Sequence, residues 1–393
     1  MADYTALGEH VKLQRGQSYK SALLGMDGPV LLGLGTIQRN GGFRGDNLRT
    51  YGGDTPARTR VNPGDFYVSL KDVTHSADLL GAVARVPISV PAGRLTQDTM
   101  RLDISESNID RDYLYWALRA PNYRAYCRAR GTGTTNLDLS QADFLAYRLR
   151  TPPLSEQRAI AEVLGALDDK IAANTNLATT SDELVRAWYM GTSASADSTA
   201  TIAELATQPR ALIAPSEFTK DLAYVGLEHV PRRQMWLSEF GPAESVTSTK
   251  TRFSKGDVLF GKLRPYFHKV AATPFDGVSS TDILVVRASD TLLKGFLLAA
   301  LASDAVVERC AAASEGTRMP RTSWATLSSI EVPWPGEQAA RAMSKQIDAV
   351  RDRVEAALAE NRTLAATRDA LLPALMSGTL RVRDAERVVE SAL

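Results

Sequence analysis

The sequence predicts an α+β protein made of two similar halves, and three observations lead to that class. Short apolar runs bounded by turn residues, at 30–32, 66–68 and 81–84 and again at 258–260, 270–272 and 283–286, predict strands. Two long stretches after Pro153 and Pro335 carry apolar residues in alternating steps of four and three, which predicts long amphipathic helices. Short sequence features of the first half return in the same order in the second half.

The repeat relates the two halves at a nearly constant offset. The sequence GTGT at 131–134 matches SEGT at 314–317, an offset of 183, and the same offset relates Cys127 to Cys310. Further matches relate 32–34 to 225–227, 62–66 to 254–258, 151–157 to 332–338, and Ser140 to Ser323. We infer a duplicated unit with approximate two-fold symmetry, in which both cysteines are packing residues. Shorter helices are predicted within the halves, at 111–126 and 292–312.

The two long helices show a heptad pattern. Ser155 and Gly336 are acceptable N-caps, and Pro373 and Gly378 are expected to mark the end of the second helix. The seam of the first helix is Ile160, Leu164, Leu167, Ile171, Asn174, Ala178, Ser181, Val185 and Trp188. The seam of the second is Met343, Ile347, Val350, Val354, Ala357, Asn361, Leu364, Arg368, Leu371 and Leu375.

A rod of about 50 Å with one apolar stripe needs a partner, and the nearest one is the other helix. We therefore expect an antiparallel coiled coil that joins two globular domains and holds them apart, with Asn174 and Asn361 fixing its register. The alternative is that each helix belongs to the core of its own domain. The predicted boundaries are 1–153 for the first domain, 154–191 for the first helix, 192–335 for the second domain, 336–380 for the second helix and 381–393 for a C-terminal tail.

Composition excludes several classes of protein. With 44% apolar and 23% charged residues the chain is typical of a soluble folded protein, and its net charge of +1 gives no overall basic excess. Two cysteines exclude a disulfide scaffold and a cysteine zinc site, and they favour a reducing compartment. The N-terminus lacks the pattern of a signal peptide, and the longest apolar run, 296–302, is too short to span a membrane. We expect a cytoplasmic protein without a membrane partner.

Three segments are basic although the whole chain is nearly neutral, and one of them, 119–130, carries four arginines and no acidic residue. Residues 247–269 carry six basic side chains and one acidic one, with aromatic residues between them. Residues 38–60 carry five basic and two acidic side chains in a glycine-rich stretch. One such run is usually a solvated face, but similar runs in both copies of a repeat favour a shared binding role.

The sequence predicts no catalytic residue and no metal site. The pattern GxxxxGK at 256–262 resembles a phosphate-binding loop but continues with Leu263 where a hydroxyl would hold Mg²⁺. The glycines at 33 and 35 lack the third glycine of a dinucleotide fingerprint. A methyltransferase tetrad is missing, and the four histidines lack the spacing of a metal pair or a catalytic diad.

The chain resembles the specificity (S) subunits of type I restriction-modification systems, which act in phage defence. The resemblance rests on PPLSEQRAI at 152–160 with LDDKI at 167–171, on GDVLFGKLRPY at 256–266 continuing to 282, and on LLPALMSG at 371–378. It implies two target recognition domains, each reading half of an asymmetric, interrupted DNA sequence. It also implies that the helix pair fixes the gap between the half-sites and docks two methyltransferase (M) subunits, which an endonuclease (R) subunit would join.

The resemblance further implies a non-catalytic subunit that binds no cofactor itself, with S-adenosylmethionine and ATP on partner subunits. The first domain departs from the pattern, since SLKDVT at 69–74 stands where the second has GKLRPY. Because Arg and Lys bind phosphates and Arg and Asn read base edges, we assign DNA contacts by residue type and position. In the first domain these are Arg39, Asn40, Arg44, Arg49, Arg58, Lys71, Arg130, Thr132 and Thr134. In the second they are Lys250, Arg252, Lys262, Arg264, Tyr266, Lys269, Arg318 and Arg321.

Two other functions are compatible with parts of this pattern. A non-catalytic protein-protein scaffold with a coiled-coil core would use the helices for assembly and the globular domains for protein partners. A free-standing DNA enzyme would need turnover by the purified chain, which the missing catalytic motifs disfavour.

Overall fold

The computed structural model describes residues 4–45, 47–74, 76–105, 108–134, 136–314 and 319–390. The chain divides into two compact units. Unit 1 comprises the described residues up to Asp169 together with those from Leu364 onwards, and unit 2 comprises Lys170–Thr363. Each unit contains a mixed lobe and parts of two long helices. We call residues 4–150 lobe 1 and residues 198–334 lobe 2.

Lobe 1 contains short strands and three short helices. The strands are β1 (Tyr4–Ala6), β2 (Val11–Arg15), β3 (Val30–Leu32), β4 (Arg60–Val61), β5 (Phe66–Ser69), β6 (Lys71–Asp72), β7 (Val83–Arg85), β8 (Gly93–Leu95), β9 (Thr99–Ile104), β10 (Leu137–Asp138) and β11 (Arg148–Arg150). The helices are α1 (Arg111–Ala117), α2 (Pro121–Ala129) and α3 (Gln141–Ala146).

Two sheets organise lobe 1. The larger has the strand order β2-β9-β5-β7, with all pairs antiparallel. Its strand β5 is buried along its whole length, as its apolar sequence predicts for a central strand. In the smaller sheet β3 runs parallel to β8, and β4 pairs with β8 antiparallel. Two ribbons, β1 with β11 and β6 with β10, complete the lobe.

Helix α4 (Leu154–Ala194) follows lobe 1 and leads to lobe 2, whose elements come in a similar order. Its strands are β12 (Ser198–Thr201), β13 (Ala206–Thr207), β14 (Leu212–Ile213), β15 (Ala223–Val225), β16 (Gly241–Pro242), β17 (Lys250–Phe253), β18 (Val258–Gly261), β19 (Val270–Ala272), β20 (Gly277–Ser279), β21 (Ile283–Ala288) and β22 (Glu331–Trp334). Its helices are α5 (Ile202–Leu205), α6 (Lys294–Leu301), α7 (Asp304–Ala312) and α8 (Trp324–Ser328).

Lobe 2 repeats the strand pairing of lobe 1, which confirms the predicted internal repeat. Its sheet β13-β21-β18-β19 matches β2-β9-β5-β7. In its five-stranded sheet β15 runs parallel to β20 and β17 antiparallel to it, as β3 and β4 do with β8. The terminal ribbon β12-β22 matches β1-β11. Cys127 in α2 and Cys310 in α7 are both free and fully buried, and burial raises the pKa of each thiol.

Two helices complete the chain, α9 (Glu337–Ser377) and α10 (Val382–Glu390). In unit 2, α4 and α9 run antiparallel, since Lys170 pairs with Glu360 at 3.7 Å and the Asn174 amide donates to the Ala357 carbonyl at 3.2 Å. The Asn174 amide also donates to the Asn361 side-chain oxygen at 2.9 Å. The two asparagines predicted to fix the register therefore contact each other.

The predicted seam residues follow the buried faces of the helices in each unit. In unit 1 the buried ones are Ile160, Leu164, Leu167, Leu364, Leu371 and Leu375, and Arg368 is half-buried. In unit 2 the buried ones are Asn174, Ala178, Ser181, Val185, Met343, Ile347, Val354 and Ala357, and those half-buried are Ile171, Trp188, Val350 and Asn361. The fold class, α+β with two long antiparallel helices, is confirmed.

Four local predictions were wrong. The helix predicted at 111–126 is divided between α1 and α2, since Pro121 starts a new helix, and that predicted at 292–312 is divided where Ser303 caps α7. Ser155 lies inside α4, whereas Gly336 does precede α9. Pro373 lies inside α9, which ends at Ser377 before Gly378, whose φ of 77° suits a glycine.

The segment predicted as a C-terminal tail contains helix α10. Helix α10 buries Ala385 and Val389 on one side. No helix among the described residues is long and apolar enough to cross a membrane.

Candidate DNA interface

In lobe 2 the candidate contacts lie mainly on the segment that follows β18. The backbone of this segment is held on both sides, because the Lys262 amide donates to the Asp282 carbonyl at 2.8 Å and the Thr322 amide donates to the Lys262 carbonyl at 3.0 Å. Leu263 forms an isolated antiparallel bridge with Arg321. A single 3-10 turn, Pro265–Phe267, follows and presents Tyr266 to solvent.

Arg264 and Tyr266 meet at this turn. Arg264 adopts a left-handed backbone conformation with φ of 51°, which is uncommon for a residue with a side chain. Its guanidinium carbon lies 5.8 Å from the centre of the Phe267 ring, and the Tyr266 ring packs edge-on against the same ring at 4.9 Å. Arg321 is exposed and bonds to Asp282 through its Nε at 3.2 Å. Three of the predicted residues, Arg264, Tyr266 and Arg321, therefore lie at or beside the Leu263–Arg321 bridge and the turn that follows it.

Three other lysine and arginine candidates of lobe 2 differ in their surroundings. Arg252 is exposed on β17, but Lys250 on the same strand is buried and donates to the Ser248 carbonyl at 3.1 Å. A buried ammonium does not reach a phosphate, so the structure does not support the prediction that Lys250 contacts DNA. Lys269 is half-buried and donates to the Leu227 carbonyl, and burial lowers the pKa of its ammonium. Arg318 lies outside the described residues.

In lobe 1 the candidates form a first group at the 38–44 loop beside α2. Asn40, with φ of 63°, accepts a hydrogen bond from Arg128 at 3.4 Å. Arg39 is 79% exposed and lies 4.0 Å from Asp78. The guanidinium of Arg130 stacks on the Tyr126 ring at 3.7 Å. The loop and the end of α2 thus place basic and amide groups on one exposed surface.

The remaining lobe 1 candidates are spread more widely. Arg44, Arg49 and Thr134 are exposed. Arg58 donates to the side chain of Gln17 at 3.2 Å, and Thr132 bonds to the Asp138 carbonyl. Lys71 lies between two carboxylates, at 3.6 Å from Asp98 and 3.8 Å from Asp138, so its charge is already compensated.

Sequence reasoning missed two arginines that the structure places in these groups. Arg128 contacts Asn40, and Arg232 lies with its guanidinium carbon 3.9 Å from the centre of the Phe267 ring. Arg128 belongs to the basic run 119–130 noted in the sequence, from which only Arg130 was assigned to DNA, whereas Arg232 lies outside the basic segments. Only the fold brings Arg232 to the turn.

His268 is enclosed in lobe 2, and its ring nitrogens already have partners there. It is buried, its Nε2 lies 2.9 Å from the Ala302 carbonyl oxygen, and its Nδ1 lies 3.4 Å from Asp304. Burial lowers the pKa of His268 below 6.5. The described residues contain no cluster of three histidine, cysteine or acidic side chains able to hold a metal ion.

Comparison with known proteins shows what parts of this chain are similar to. Residues 71–180 match the type I restriction modification DNA specificity domain. A 93-residue stretch is 32% identical to the type I restriction enzyme EcoDI specificity subunit of Escherichia coli, covering 23% of this chain and 20% of that protein. The chain thus matches about a fifth of the length of this curated relative.

A solved structure shares the fold over nearly the whole chain. The type I restriction-modification S subunit from M. genitalium aligns with a TM-score of 0.58 at 15% identity, covering 95% of this chain and 96% of that one. Residues 71–180 are therefore similar to a type I restriction modification DNA specificity domain, the whole chain shares the fold of this solved S subunit, and the resemblance drawn from the motifs is confirmed.

Proposed function

We propose that this chain is the DNA-recognition subunit of a type I restriction-modification complex and that it reads an asymmetric target in two parts. Each lobe would read one half-site, and the α4-α9 pair would set the interval between them. DNA readers with two-fold symmetry place two recognition elements about one helical turn apart. The observation that carries the proposal is one backbone topology built twice with different exposed side chains at matching positions.

The matching positions lie on the β6-β10 ribbon of lobe 1 and at the Leu263–Arg321 bridge of lobe 2. In lobe 1 Lys71 and Asp138 are paired across β6 and β10, and in lobe 2 Leu263 and Arg321 occupy the corresponding bridge. Asp138 and Arg321 are related by the repeat offset of 183. Base contacts specify sequence, whereas phosphate contacts only position the protein. Two unlike half-sites therefore require different side chains at matching positions of the same backbone fold.

The chain itself would be non-catalytic. Two methyltransferase subunits would dock on it, and an endonuclease subunit would join the assembly. S-adenosylmethionine and ATP would bind those partners. We place its action in the cytoplasm, because two cysteines favour a reducing compartment.

The test is to reconstitute the chain with a type I methyltransferase subunit in a host lacking other methyltransferases and to sequence the methylated genome. We expect one interrupted, asymmetric motif. The purified complex should bind that motif with an affinity that falls steeply as salt rises, because phosphate contacts release counterions. Absence of a motif, or binding indifferent to salt, would contradict the proposal and favour the protein scaffold instead.

A further inference from the structure

A compact group of aromatic and guanidinium side chains stands on the surface of lobe 2. The Arg232 guanidinium carbon lies 3.9 Å from the centre of the Phe267 ring, and that of Arg264 lies 5.8 Å from it. The Tyr266 ring packs against Phe267 at 4.9 Å with an angle of 73° between the ring planes. We call Arg232, Arg264, Tyr266 and Phe267 the aromatic-arginine cluster.

The backbone around the cluster is fixed in an unusual conformation. Arg233, Arg264 and His268 all have positive φ angles, of 56°, 51° and 52°. The Arg233 amide donates to the His268 carbonyl, and the Arg264 amide donates to the Pro320 carbonyl, both at 2.8 Å. Left-handed residues with side chains persist only where their surroundings determine them, and they concentrate at binding sites. The cluster is therefore held in place before any ligand arrives.

The cluster also carries uncompensated positive charge. Within the part of the chain that the structure describes, neither Arg232 nor Arg264 has a carboxylate within 4 Å, and the buried Nε of Arg264 has no hydrogen-bond partner. The neighbouring Arg233 differs, because it pairs with Asp304 at 3.0 Å. Arg232 is exposed and so combines an available charge with a fixed ring beneath it.

We propose that Arg232 is a specificity-determining residue of lobe 2 and reads a guanine in its half-site. This rests on the proposed function. A guanidinium lying against an aromatic ring keeps its in-plane N–H donors free, and two of them match O6 and N7 of guanine. A phosphate contact would need the charge but not the fixed plane. Phe267 is then a positioning residue, because it orients Arg232 without touching DNA.

The experiment compares methylation motifs in the reconstituted complex with its methyltransferase subunit. The variant R232K keeps the charge and removes the planar pair of donors, and F267L keeps an apolar side chain and removes the ring. In both variants the discrimination between guanine and the other bases should fall by roughly 5- to 150-fold at the same position of the motif. The sequence of the other half-site should be unchanged. The control R387K changes an exposed arginine of α10 that lies 3.9 Å from Asp384 and should leave the motif intact.

Each remaining outcome decides the inference. An unchanged motif in R232K overturns it. A uniform loss of binding to all sequences would also overturn it, since that result marks a phosphate contact. Thermal unfolding of R232K should match that of the wild type, so that relaxed specificity is not a loss of fold. If the wild-type complex selects no motif, the proposed function itself fails.

Discussion

The segment after the central strand of the larger sheet is built differently in the two lobes. In lobe 1, after β5, the buried Asp72 carboxylate accepts from the Thr74 amide at 2.6 Å and from the Leu79 amide at 2.7 Å. In lobe 2, among the described residues after β18, no carboxylate accepts hydrogen bonds from the backbone amides of the segment in this way. The segment instead forms a 3-10 turn with left-handed residues at both ends, which carries Arg264 and Tyr266.

The difference shows how a duplicated domain can diverge in what it binds without changing its fold. The strand pairing is common to both lobes because buried apolar strands maintain it. The segment is peripheral, so one copy can satisfy its own polar groups through a carboxylate and the other can expose cations. At matched positions of the repeat, Asp138 gives lobe 1 a negative charge where Arg321 gives lobe 2 a positive one.

Among the changes that distinguish the segment after β5 from the segment after β18, D72A should have the largest effect, a loss of stability. Asp72 is fully buried, and its removal leaves two backbone amides without acceptors, so lobe 1 should lose about 3 kcal/mol of stability. Hydrogen exchange of peptides from β5 and β7 measures this loss, because it reports the opening of one lobe rather than of the whole chain.

The control for D72A is D282A in lobe 2. Asp282 pairs with the exposed Arg321 at 3.2 Å, and an exposed ion pair is worth at most about 1 kcal/mol. Equal losses from the two changes would mean that the segments are anchored alike and that the comparison is wrong.

A smaller effect should distinguish exposed from buried lysines in lobe 2. K262M removes a half-exposed charge on the projecting segment, so affinity for all DNA sequences should fall about tenfold and the logarithmic salt slope should decrease by about one. K250M is the matched change at a buried lysine. Titrations of the complex at several salt concentrations give both slopes, and a reduced slope in K250M would refute the assignment of that lysine to the interior.

The smallest effect concerns pH and is confined to lobe 2. Burial lowers the pKa of His268 in the folded state, and the positive charges of Arg186 and Arg233 lower it further. The hydrogen bond to the Ala302 carbonyl and the nearby Asp304 oppose this only in part, so the unfolded chain binds more protons just below pH 6.5. The His268 contribution to stability is therefore complete above pH 6.5 and is lost as the pH falls from there towards the lowered pKa. H268N suits the left-handed backbone and should remove this dependence.

The measurement for His268 is the unfolding free energy of lobe 2 between pH 7.5 and 5, in the wild type and in H268N. The difference between the two curves isolates this histidine from the other groups that titrate in the range. Parallel curves would show that His268 binds a proton equally well in the folded and unfolded chains.

The two long helices illustrate what could be predicted from sequence. Their heptad pattern extends over many turns, and Asn174 and Asn361 interrupt it at positions that meet in the structure. The pattern is legible because each seam residue is defined by its spacing along one element. The helix ends were less predictable, since Pro373 continues α9 where a proline was expected to stop it.

The candidate DNA contacts illustrate what could not be predicted from the sequence. Lys250 and Arg252 are two residues apart on one strand, yet one is buried and the other exposed, and charge counting treats them alike. Arg232 joins Phe267 only because a loop folds back on the turn after β18. Single side-chain environments depend on partners distant in sequence, which local patterns do not encode.

The amino-acid sequence by itself determined the class, the duplication and the helix seam, because apolar periodicity and repeated motifs are properties of the chain read in order. The tertiary structure decided which cations are free, which are already paired with carboxylates and which are buried. Those outcomes depend on the low dielectric of the interior and on neighbours brought together by folding, so they appear only once the strands have paired.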